Sequence, residues 1–92
     1  MRLGRVVMLM LAGSLGLPTI ASAQSRRCDE LWVERNSIYK DAGYCFRTAR
    51  GIDTFGNAGC SFDDVNDVPL STRQRADVDR LQRAERALRC RR

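Results

Sequence analysis

The sequence contains no histidine, only one lysine, two prolines and, after residue 17, no long apolar run. Without histidine, the side chain that most often transfers protons near neutral pH is missing. The four cysteines include no Cys-x-x-Cys pair, whereas thiolate zinc sites usually draw their ligands from close pairs. We therefore expect no enzymatic activity, no metal and no cofactor. A membrane span needs about 20 apolar residues, and none is expected after residue 23.

The first 23 residues have the organisation of an export signal. Arg2 and Arg5 precede an uncharged apolar stretch of about 12 residues, which Pro18 ends. Ala21-Ser22-Ala23 then supplies the small residues that a signal peptidase requires. The pattern predicts a signal peptide over residues 1–23 and a location in the periplasm or outside the cell.

The remaining residues, 24–92, have room for one domain. Removing Arg2 and Arg5 leaves 14 basic and 11 acidic side chains, a net charge of +3, and every basic residue except Lys40 is arginine. The guanidinium group suits carboxylates and phosphates, which favours an anionic envelope partner; no nucleic-acid partner is expected for an exported chain. A solvated basic face without a ligand is the alternative.

All four cysteines follow the predicted cleavage site, so they meet an oxidising compartment. An even number predicts two disulfides, for which three pairings exist. We favour Cys45–Cys60, which closes the irregular centre of the chain, and Cys28–Cys90, which joins the start of one helix to the end of another.

The first predicted helix covers residues 28–42, and residues 24–27 before it are predicted to be a short polar arm. An amphipathic stripe marks the helix, and Gly43 suits its end because glycine adopts left-handed conformations readily. Asp29 and Glu30 fall in the first turn of this helix, near the positive end of its dipole. The stripe consists of Leu31, Arg35, Ile38 and Ala42, flanked by Trp32 and Tyr39.

The rest of the chain predicts an irregular centre, residues 44–69, and a second long helix over residues 72–89. Thr48 can cap a short helix within the centre that ends at Phe55. Before the second long helix, Ser71 and Gln74 form a capping box. The fold class is therefore small, mainly α-helical and stabilised by disulfides. The apolar stripe of the last helix is Val78, Leu81, Ala84 and Leu88.

One part of the sequence resembles a known family, the YARHG domain of bacterial exported proteins. The resemblance rests on Leu31-Trp32, on Arg35-Asn36-Ser37-Ile38-Tyr39 and on Gly43-Tyr44-Cys45-Phe46. It covers most of residues 31–88 and implies a single YARHG-like domain with a location at the cell envelope. The family has no established catalytic residues, so the resemblance implies fold and location more than chemistry.

The chain departs from the family signature at its centre. Where that signature has Tyr-Ala-Arg-His-Gly, this chain has Tyr39-Lys40-Asp41-Ala42-Gly43. The arginine and histidine of the signature are thus an aspartate and an alanine. The four cysteines also lie outside the general family pattern.

The motif residues themselves allow a structural or a ligand-binding role. If Arg35 is buried on the apolar stripe, it needs a carboxylate or chain-end carbonyls as partners. Asn36 is expected to hydrogen-bond a neighbouring loop. Gly43 is expected to turn the chain so that Tyr44 and Phe46 fold back over the helix, on which Tyr39 packs inward.

The predicted function is that of a small exported binding or accessory module of the cell envelope, whose partner is an anionic polymer such as peptidoglycan. The alternative is a small exported protein that binds or inhibits another protein. An exposed apolar patch formed by the aromatic residues would favour this alternative.

Overall fold

The computed structural model describes Gly16 and residues 19–91. The described part holds three α-helices: α1, Ile20–Asp41; α2, Ala49–Phe55; and α3, Thr72–Ala87. A short 3-10 turn, Val65–Asp67, precedes α3. The predicted class, a small mainly helical fold with two disulfides, is confirmed. The predicted signal peptide lies largely outside the described residues.

Helix α1 begins eight residues before the predicted start. Thr19 caps it by accepting a hydrogen bond from the Ser22 backbone N–H at 3.1 Å, and the expected polar arm at 24–27 is helical. The prediction that acidic residues occupy the first turn was therefore wrong, because Asp29 and Glu30 lie in the middle of the helix. No described helix is both long and apolar enough to span a membrane.

The end of α1 is a Schellman motif. Gly43 has φ +96°, and its N–H donates to the Lys40 carbonyl at 3.1 Å. The Tyr44 N–H donates to the Tyr39 carbonyl at 3.0 Å, so these two bonds satisfy the carbonyls of Tyr39 and Lys40 at the end of the helix. The predicted reversal at Gly43 is confirmed, and it brings the Tyr44 ring to 6.0 Å from the Tyr39 ring.

Helix α2 has the predicted boundaries, with Thr48 as its N-cap and Gly56 at its end. Gly51 is buried within it because the Phe46 ring lies against its backbone, where an added Cβ would approach that ring to 2.8 Å. The loop before α2 is held by Asn57, whose side chain hydrogen-bonds both the N–H and the carbonyl of Phe46. The irregular centre is therefore ordered by an aromatic ring and an amide.

Helices α1 and α3 pack together, and the core lies between them. Leu31 from α1 and Leu81 from α3 are each 1% exposed. Val78, Val68 and Phe46 complete the buried apolar set. Cys28–Cys90 ties α1 to the end of α3, and Cys45–Cys60 closes the centre, which is the pairing that the sequence favoured.

Helix α3 starts at the predicted capping box. The Gln74 backbone N–H donates to Ser71 Oγ at 3.1 Å, and the Ser71 backbone N–H donates to Gln74 Oε1 at 2.9 Å. The helix ends two residues before the predicted limit of 89. Its C-cap is Leu88, and Arg89 then adopts a left-handed conformation with φ +56° that stops the helix.

We predict that Ser71→Ala lowers the free energy of unfolding by about 1 kcal/mol, because the substitution leaves the Gln74 N–H without its acceptor. Thermal denaturation followed by circular dichroism measures this change. Thr72→Ala, one position further along and not part of the box, is the control and should stay within about 0.5 kcal/mol. Equal losses in the two variants would contradict a specific role for the Ser71 cap.

Candidate functional site

A surface groove runs between α1, α2 and the segment that follows α3. It has two adjoining parts, each of ≈ 450 Å³, which share Trp32, Arg50 and Arg91 in their lining. We call it the Trp32 groove. Its first part is also lined by Arg35, Thr48, Gln82 and Glu85, and its second part by Gln24, Ser25, Cys28, Asp29, Leu88, Arg89 and Cys90.

Trp32 is the chain's only tryptophan and is half-buried in this groove. The Arg50 guanidinium carbon lies 3.8 Å from the centre of the indole ring, close enough for a cation–π contact. Phe55 of α2 approaches Trp32 with ring centres 5.8 Å apart. These contacts fix both the indole and the guanidinium that covers it.

Arg50 also forms an ion pair with α1. Its Nη2 donates to Asp29 Oδ1 at 2.9 Å, and about half of the Arg50 side chain remains exposed, as does most of Asp29. Exposed pairs of this kind contribute about 0–1 kcal/mol, so another carboxylate can replace Asp29 at small cost.

One wall of the groove is a buried ion pair between the two long helices. Arg35 Nε donates to Glu85 Oε1 at 2.6 Å and its Nη2 donates to Oε2 at 3.1 Å. The Glu85 side chain is 5% exposed and that of Arg35 is 18% exposed. Arg35 thus has the carboxylate partner that its position required, and its guanidinium edge is occupied within the protein.

The other end of the groove is shaped by the backbone after α3. Arg89 is the non-glycine residue with positive φ in the described chain. Around it, the Cys90 N–H donates to the Glu85 carbonyl at 2.9 Å, again as in a Schellman motif. A left-handed arginine costs roughly 1–2 kcal/mol. This turn and the disulfide to Cys28 place Arg91 in the lining of the groove.

The motif residues predicted from sequence occupy different places. Arg35 lies in the groove wall, whereas Tyr39, Tyr44 and Phe46 do not line the groove and belong to a row of aromatic rings that reaches Trp32 through Phe55. The expectation for Asn36 was wrong. Its side chain is buried and donates to the Trp32 carbonyl at 2.9 Å on its own helix, so it bonds the preceding turn and not a loop.

Sequence reasoning missed Glu85, Arg50, Gln82 and Arg91 as members of one site. For Glu85 a signal existed, because its spacing from Leu81 and Leu88 puts it on the apolar face of α3. A carboxylate on that face and Arg35 on the apolar face of α1 are complementary. The other three residues carry no such pattern.

These features define the class: a small, disulfide-bonded helical domain with an arginine-lined groove. The chain belongs to the YARHG domain family, whose model matches residues 6–86. This is a family of exported domains, and the two disulfides fit an extracellular or periplasmic location. Neither the curated proteins nor the solved structures contain a significant match to the chain.

Proposed function

We propose that this protein is a non-catalytic binding module of the bacterial cell envelope and that its ligand is an anionic polymer such as peptidoglycan. The observation that carries the proposal is the lining of the Trp32 groove. It contains four arginines and two carboxylates, so it carries a net positive charge. An excess of arginine in a concave site attracts anions and concentrates them there.

Two features support binding without catalysis. The carboxylates of the groove already have partners, since Glu85 is paired with Arg35 and Asp29 with Arg50. The cysteines are all joined in disulfides, and the sequence has no histidine. The groove therefore offers fixed charge and hydrogen-bonding groups more than a nucleophile or a general base.

The alternative, a module that binds another protein, requires apolar side chains at the surface. The six aromatic residues are buried or half-buried. The large apolar side chains that are exposed in the described part are Ile20, Val33, Ile52 and Val65. These observations favour the anionic ligand.

The proposal predicts that the exported, disulfide-bonded protein is retained by isolated peptidoglycan sacculi. Retention should fall as salt is added, because salt screens exposed charges. Co-sedimentation measures it, with a basic protein of similar size and charge as the control. Retention no greater than that of the control protein would contradict the proposal.

A further inference from the structure

We propose that the Trp32 groove binds a sugar unit that carries a carboxylate, with Arg50 and Arg91 holding the carboxylate. This inference rests on the proposed binding function and names the chemical group that the site recognises. Three observations lead to it: the hydrogen bonds that each arginine already makes, the ion pair between Asp29 and Arg50, and the size of the groove with the polar residues that line it.

The arginines of the groove are not equivalent. Arg35 donates through Nε and Nη2 to a buried glutamate, so its guanidinium edge is already engaged. Arg50 is half-exposed, its guanidinium carbon lies 3.8 Å from the centre of the Trp32 ring, and its recorded hydrogen bond is the one from Nη2 to the exposed Asp29, so its other N–H groups can donate to a ligand. Arg91 lines both parts of the groove beside Arg50. Arg89 lines only the second part, so Arg50 and Arg91 are the pair that an anion in either part can reach.

The ion pair between Asp29 and Arg50 indicates that a carboxylate fits against the Arg50 guanidinium. The Asp29 carboxylate accepts from Arg50 Nη2 at 2.9 Å at the surface of the groove. The protein therefore already places a carboxylate against this guanidinium, and a ligand carboxylate can take the same position. Because Asp29 is exposed and competes for Arg50, its removal should strengthen ligand binding while leaving the fold intact.

The remaining lining favours a sugar over an acidic peptide. Each part has ≈ 450 Å³, within the range of about 300–1,000 Å³ found for small-molecule sites. Thr48 and Gln82 contribute a hydroxyl and an amide, which match sugar hydroxyls. A peptide that adds to a sheet as an extra strand would need a strand edge, and the β-pairing in the described residues is an isolated bridge between Tyr44 and Phe62.

A pair of amino sugars, of which one carries an acidic lactyl group, tests this inference. N-acetylmuramic acid carries a lactyl carboxylate that N-acetylglucosamine lacks. Each is titrated into the disulfide-bonded protein at constant pH and ionic strength. Trp32 fluorescence reports binding because the chain has no other tryptophan, and calorimetry provides an independent affinity. We expect a saturable response to the first sugar and none to the second.

Variants of equal net charge locate the site. Arg50→Gln/Arg91→Gln should lower the affinity at least tenfold, since hydrogen bonds to charged groups contribute about 1.5–3 kcal/mol. Arg73→Gln/Arg83→Gln removes the same charge from exposed positions on α3 outside the groove and should leave the affinity unchanged. Asp29→Asn should raise it by about two- to fivefold.

Equal responses to the two sugars, or equal losses in the two double variants, would overturn the inference. So would tighter binding of an acidic peptide, which would make the groove a peptide site. Sacculus retention separates this inference from the proposed function. If the Arg50/Arg91 variant loses sugar binding but keeps full retention, the module holds the envelope through another surface and the inference about its natural ligand fails.

Discussion

Glu85→Ala is expected to lower the free energy of unfolding by about 3–5 kcal/mol, because it leaves the Arg35 guanidinium in the interface without its carboxylate. The pair makes two hydrogen bonds, of 2.6 and 3.1 Å, and the Glu85 side chain is 5% exposed. For Arg35→Ala, the usual cost of leaving a hydrogen-bond partner unsatisfied is about 1–3 kcal/mol. The structure raises it, since the partner left behind is a buried charge. Chemical denaturation measures the free energy of unfolding of both variants.

The exposed pair Arg27–Glu30 on α1 is the matched control. Its side chains are about half exposed, so Glu30→Ala should cost at most about 1 kcal/mol. The double variant Arg35→Met/Glu85→Leu should recover most of the lost stability, because paired apolar replacements of a buried ion pair are often neutral. If Arg35→Ala stays within about 0.5 kcal/mol of wild type and envelope binding falls, Arg35 binds ligand and the structural role is wrong.

Removing the Cys28–Cys90 disulfide is expected to lower the free energy of unfolding by about 4 kcal/mol. The bond joins residues 62 positions apart, and the chain-entropy model gives about 3 kcal/mol for a loop of 15 residues and about 4.7 for one of 100. A domain this small buries limited apolar surface and depends on such bonds. Cys28→Ser/Cys90→Ser, compared with wild type by denaturation under non-reducing conditions, measures the effect.

Cys45→Ser/Cys60→Ser is the control, with a separation of 15 and an expected loss of about 3 kcal/mol. The two variants differ in a second respect. Opening Cys28–Cys90 releases the left-handed turn at Arg89 and with it Arg91, so sugar binding in the Trp32 groove should weaken even where the variant is still folded. A larger stability loss from opening Cys45–Cys60 would contradict this ranking of the two bonds.

Local signals in the sequence were sufficient for the ends of most helices. The Ser71–Gln74 capping box, the Thr48 cap and the turn at Gly43 each depend on a few adjacent residues, whose side chains satisfy backbone groups within one turn. The cysteine pairing followed from the same helices, because an antiparallel pair brings the start of one close to the end of the other.

Predictions for which the neighbouring residues give no clear signal, such as the start of α1 and the partner of Asn36, were less accurate. The start of α1 was placed at residue 28, although Thr19 caps the helix and the polar residues 24–27 are helical. Periodicity does not reveal this earlier start, because a helix with few apolar residues in its first turns shows no periodic stripe there. Asn36 was expected to reach a loop, but an asparagine inside a helix can also bond the carbonyl four residues earlier.

The sequence by itself determined the class of this protein: three helices, most of their ends, the two disulfides and the excess of arginine. Only the tertiary structure decided which residues share a site. Helical periodicity shows which face of a helix is buried, but not which residue of a partner helix it meets, since that depends on how the helices are packed and aligned. The Trp32 groove therefore exists only once packing and the Cys28–Cys90 bond have brought Trp32, Arg50 and Arg91 together from three separate segments.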